Sequence, residues 1–81
     1  MKPHKINDSV ILQFYPHNGN FLPRLIHSKG ISHIPLIVAD SEIELVIDKL
    51  GLFDLIDFPI HYIEMIVAGC ISVVLKYPVK S

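Results

Sequence analysis

The stretch SVILQFYPHNGNFLPRLIHSKG, Ser9 to Gly30, decides the fold. Its opening, SVILQFY, is rich in β-branched and aromatic residues, lies between Asn7-Asp8 and Pro16, and reads as a strand. Only Gln13 interrupts its apolar character, so both faces are expected to be covered, as in a central parallel strand. Beyond Pro16 the chain is ambiguous. Asn18-Gly19 tolerates positive φ, so PHNGN can fold the chain back as a hairpin or lead into a helix capped by Asn20. Leu22, Leu25 and Ile26 share a helical face, Pro23 suits a first turn, and Gly30 suits a C-terminal stop. A hairpin would place Pro23, which has no N–H, inside a ladder. The sequence therefore favours a short helix over 20–30.

Working outward, ISHIPLIVA (31–39) predicts a second strand, with Pro35 confining it to an edge or to a start near Leu36. Ser41 and Glu44 have the spacing of a capping box. Behind them Ile43, Val46, Ile47 and Leu50 recur at helical spacing up to Gly51. LFDLIDF (52–58) fits one or two helical turns, and Phe58-Pro59 marks a boundary. From Pro59 to Ala68, Ile60, Ile63, Ile66 and Val67 line one helical face, and Gly69 reads as a break. From Cys70 the period becomes two: Ile71, Val73, Leu75 and Tyr77 oppose Cys70, Ser72, Val74 and Lys76, the pattern of a strand. The expected architecture is one α/β domain over 1–81. Its order is β-α-β-α-α-β, with a three-stranded, mainly parallel sheet and right-handed crossovers.

Apolar residues make up 51% of the 81-residue chain and charged residues 19%, which excludes intrinsic disorder. A domain this small cannot hide all of that apolar surface, and the remainder points to a partner surface. The net charge is −1 and no Lys/Arg run occurs, so no nucleic-acid partner is expected. Charge is uneven, however. Asp40, Glu42, Glu44, Asp48, Asp54 and Asp57 crowd the middle, while Lys2, Lys5, Lys76 and Lys80 sit near the ends. This division could steer a self-complementary contact. A single cysteine and an N-terminus without an apolar h-region point to a reducing, cytoplasmic setting. The longest apolar run, MIVAGCISVVL (65–75), would rise only about 16 Å as a helix, against a hydrocarbon core of about 30 Å. A membrane span is disfavoured.

No phosphate-binding glycine motif, C-x-x-C or paired-histidine spacing is present, so no cofactor, metal or catalytic residue is assigned. A catalytic role is disfavoured. Cys70, flanked by Gly69 and Ile71, has the surroundings of an inert packing residue. His61 and Glu64, three apart on a helix, fit a polar face as well as a metal pair. The leading expectation is a non-enzymatic module acting by homo-oligomerisation or within a larger complex, its partner itself or another protein chain. Its contact surfaces would be Leu52, Phe53, Leu55 and Phe58 of the LFDLIDF segment and Ser72 and Val74 of the last strand. A second expectation is a small-molecule or anion site built from His17, Asn18, Asn20 and Asp40, at the carboxyl ends of the strands and a helix N-terminus. A third is a membrane-associated miniprotein.

Overall fold

The fold is four strands followed by two helices, in a computed structural model that describes residues 3–76. The strands are β1 (His4–Asn7), β2 (Val10–His17), β3 (Asn20–His27) and β4 (Gly30–His33), and the helices α1 (Asp40–Leu50) and α2 (Ile60–Leu75). All strand pairs are antiparallel, in the order β1-β2-β3-β4. This corrects the expected β-α-β-α-α-β order and its three-stranded, mainly parallel sheet.

The correction begins at Asn18-Gly19. Both have positive φ, 49° and 80°, and they form the two-residue turn between the paired residues His17 and Asn20. Pro23 does not break the ladder, for a reason of parity. Pairs in an antiparallel hairpin alternate between hydrogen-bonded and non-hydrogen-bonded, starting from a bonded pair beside a two-residue turn. Counting from His17–Asn20, the pairs Pro16–Phe21 and Phe14–Pro23 are both non-bonded, so neither proline costs a rung between β2 and β3. The helix expected over 20–30 is therefore strand β3, the turn Ser28-Lys29, and Gly30 at φ 129°.

The strand expected over 31–39 is interrupted. β4 ends at His33, the chain buckles at Pro35, and Val38 rejoins the sheet by exchanging two hydrogen bonds with Phe21, at 2.8 and 2.9 Å. β1 was not anticipated. The Asn7 side chain accepts from the Ser9 amide at 2.8 Å, forming the turn into β2, and donates to the Leu55 carbonyl at 2.8 Å. That second bond fastens the sheet to the loop between the helices.

The N-cap of α1 lies two residues before the expected one. Ala39 is the N-cap residue, and Glu42, not Glu44, reaches back to its amide at 2.8 Å. Ala39 has no side-chain oxygen to complete a box. α2 is one continuous 16-residue helix, so the break at Gly69 and the strand beginning at Cys70 are both overturned. Tyr77, the last residue of that expected strand, lies outside the described residues, as do Lys2 and Lys80. Val67, Cys70, Ile71 and Val74 extend the inward stripe begun by Ile60 and Ile63. In so apolar a run, period two and period 3.6 select overlapping sets of residues.

Val10, Leu12 and Phe14 of β2 and Leu25 of β3 meet Val46 and Leu50 of α1 and Ile63, Val67, Cys70 and Ile71 of α2 in one core. The molecule measures 33 × 30 × 19 Å. Its short dimension has room for one sheet and one helical layer. β2 is central, as its composition suggested, yet among the described residues only one of its faces is covered.

Candidate functional site

Three surfaces gather polar or accessible apolar side chains: the uncovered sheet face, the seam between the sheet and α2, and the outer side of the helical layer. Strand pairing sorts the open face into rows. Gln13, Arg24 and His33 form the middle row. Lys5, Ile11, Ile26 and Ile31 lie on one side of it, and Tyr15 and Leu22 on the other. Arg24 is the centre. Its Nε–H donates to Gln13 Oε1 at 3.0 Å, and its guanidinium lies 4.9 Å from the Tyr15 ring centroid. The Tyr15 hydroxyl hydrogen-bonds His33 Nδ1 at 3.2 Å, with the two rings edge to face. Arg24 is thus held from two sides and has no carboxylate partner among the described residues, where the ion pair is Lys5–Asp8 at 3.0 Å. None of the residues in the three rows is acidic. This arrangement suits a carboxylate: a planar cation with two terminal amino groups free to bind in a fork.

At the seam, hydrogen bonds fix every proton. The Lys29 amide donates to His27 Nδ1 at 3.3 Å, so the ring proton is on Nε2. Nε2–H donates to Ser32 Oγ at 2.8 Å, and Ser32 O–H donates to the Glu64 carboxylate on α2. A nucleophilic triad needs histidine between serine and acid, so that the serine proton can pass to the ring. Here serine stands in the middle and its proton is committed to the carboxylate. The chain is an anchor between the β3–β4 hairpin and α2. Glu64 is therefore engaged with Ser32, whereas His61 stacks on Tyr62 with ring centroids 4.5 Å apart. Among the described residues no three His, Cys, Asp or Glu side chains are placed to share a metal ion.

Two joined hollows of about 520 and 410 Å³ run between α1 and α2 on the outer side of the helical layer, sharing Lys49, Leu52 and Val73. Gly69 and Cys70 line the second. Burial pushes the Cys70 thiol up, and the Lys49 charge opposes this only in part. Cys70 stays protonated at neutral pH and is a poor nucleophile. A third hollow, of about 450 Å³, lies where the β1–β2 and β3–β4 turns meet the interhelical loop, and it brings His27, Lys29, Asp57 and His61 together.

The residues expected from sequence are distributed unevenly over these surfaces. His17, Asn18 and Asn20 form the β2–β3 turn, and the Phe21–Val38 bridge brings Asn20 and Asp40 to the same end of the sheet. Asn18 Nδ2 and His17 Nε2 are 3.4 Å apart, and a strand, not a helix, begins at Asn20. The helix N-terminus that would have drawn an anion to residues 16–20 is absent. Leu52, Phe53 and Phe58 are exposed on the interhelical loop, but Leu55 between them is 5% exposed and belongs to the core. Ser72 and Val74 are half-buried on α2, with Val74 packed against the core. The sequence reading missed Gln13, Arg24 and His33 as one row. Their signal was the alternation Ile11-Gln13-Tyr15 and Leu22-Arg24-Ile26, which becomes informative only after the hairpin register is known.

No family model, curated protein or solved structure matches the chain. Among the described residues no helix is long and apolar enough to cross a membrane.

Proposed function

We propose that the protein is a small non-enzymatic module that works by association, as a homo-oligomer or as a subunit of a larger assembly. One observation carries this reading: apolar side chains remain uncovered on both broad faces of a two-layer domain. Leu45, Met65 and Val73 stand out from the helices and Leu52 and Ile56 from the loop between them, with Leu52 78% and Ile56 69% exposed, while Ile11 and Ile31 face outward from the sheet. Clusters of this kind mark interaction surfaces in small proteins. Each broad face spans up to 33 × 30 Å, enough to supply the roughly 800 Å² per partner of a standard interface. Gly69 supports the reading independently. It lies within a helix where an added Cβ would meet nothing within 4 Å, so no packing among the described residues requires a glycine there.

The test is light scattering coupled to size exclusion from 1 µM to 1 mM, alongside affinity purification at native expression level. A mass above the 9.2 kDa monomer, or a stoichiometric co-purifying chain, is expected. A monomer at every concentration that brings down no partner overturns the proposal.

A further inference from the structure

The interhelical loop offers what the open sheet face lacks. Between Gly51 and Pro59 the charged residues are Asp54 and Asp57, both exposed, and no base is present. Asp54 lies in sequence between the exposed aliphatics Leu52 and Ile56. The sheet presents the converse order, with Arg24 in a polar row between Tyr15-Leu22 and a row in which Ile11, Ile26 and Ile31 continue from Lys5 at the β1 edge. Asp54 makes only a long hydrogen bond, 3.4 Å, to the Ile56 amide, and it has no cationic partner among the described residues. The loop joins the two helices and is fastened to the sheet at the β1–β2 turn through the Asn7–Leu55 hydrogen bond, whereas Arg24 lies in the middle row of the open face, and among the described residues the two form no ion pair within one molecule.

We infer that the loop Leu52–Phe58 of one molecule seats on the open sheet face of a second copy, with the Asp54 carboxylate accepting from the free amino groups of Arg24 and with Leu52 and Ile56 resting on the flanking apolar rows. This rests on the association reading and names both surfaces and the occupant. The contact is heterologous: each molecule gives its loop and receives another on a different surface, the open sheet face. It therefore propagates until a ring closes, or continues as a filament. The charge pair lies at an accessible surface, so raising the salt from 50 to 500 mM weakens assembly several-fold.

Two surface variants test the geometry, Arg24→Glu on the receiving face and Ile56→Glu on the loop, each first shown by circular dichroism to keep the wild-type fold. Light scattering should find the wild type larger than a dimer at high concentration and each variant monomeric. Mixed one to one, the intact loop of Arg24→Glu meets the intact face of Ile56→Glu. The other pairing is blocked by acid against acid, so assembly stops at a dimer of twice 9.2 kDa. A wild type that assembles while Arg24→Glu assembles equally well overturns this contact and leaves the association reading standing. Monomeric variants whose mixture stays monomeric also overturn it. A wild type that is monomeric to 1 mM removes the second copy as occupant, and the co-purification arm then decides the broader reading alone. If Arg24→Glu does not fold, Arg24→Gln replaces it, with at least a tenfold weakening of assembly expected and an unchanged association constant counting against the contact.

Discussion

Gly69→Ala separates two readings of residues 60–75 by the sign of a stability change. In the structure Gly69 lies inside α2, is not among the residues with positive φ, and would place a Cβ in open space. Alanine then fits without strain and gains no packing, so the effect reduces to backbone freedom lost on folding. Glycine in a helix interior is less favourable than alanine by about 0.5–1 kcal/mol. For a domain of this size about 1 kcal/mol moves the midpoint by roughly 4–8 °C, so Gly69→Ala should melt about 2–8 °C higher. If Gly69 instead ended a helix in the left-handed region, as its place in the sequence suggested, alanine would cost about 1 kcal/mol or more and the midpoint would fall. Thermal melts tracked by far-ultraviolet dichroism, with urea titration to confirm an unchanged slope, give the answer. Two protein concentrations tenfold apart remove any contribution from assembly, since Gly69 lines a surface hollow. A lower midpoint at both concentrations refutes the continuous helix.

Two further outcomes concern the seam and Cys70. Ser32→Ala leaves His27 Nε2–H and the half-buried Glu64 without their shared partner, and should cost about 1–3 kcal/mol by urea denaturation; a loss under about 0.3 kcal/mol would mean the chain does not anchor the hairpin to α2. The Cys70 thiol is raised by burial in the folded state, so the unfolded chain loses that proton first as pH climbs. Its contribution is intact below the ordinary thiol pKa and declines above it, so Cys70→Ala should flatten the fall in stability between about pH 8 and 9.5. In the same range iodoacetamide should label native Cys70 far more slowly than the urea-unfolded chain, and equal rates would contradict its burial.

Where a single residue type or period carried the signal, the sequence was readable. β2 declared itself by β-branched and aromatic content. α1 did so by the spacing of Ile43, Val46, Ile47 and Leu50, and α2 began where Phe58-Pro59 said it should. The misreadings share a cause, which is that local chemistry was judged without its partner strand or face. Pro23 looked incompatible with a ladder because a missing donor matters only on a hydrogen-bonded pair, and parity is invisible until the turn is placed. Cys70 to Leu75 looked like a strand because nearly every residue is apolar, so alternation could be drawn through it at will. β1 and β4 hold four residues each, too few to show a period. The Arg24 row depends on cross-strand register, so it could not be read before the hairpin was.

If two copies associate as proposed, the charge on the open face bears on which contact they can make. With a short dimension of 19 Å, the described residues form no third layer to cover the outer side of the sheet. Burying Ile11, Ile26 and Ile31 against the same face of a second copy would be the simplest closed solution. It would also bring two guanidiniums towards one axis, neither with a carboxylate partner among the described residues, and like charges brought together in an interface cost several kcal/mol. An acidic, apolar loop avoids that cost, because the same burial of aliphatic side chains now comes with a partner for Arg24. Under the proposed association, electrostatics therefore favours head-to-tail contact over face-to-face contact in a domain whose aliphatic surface alone would allow both.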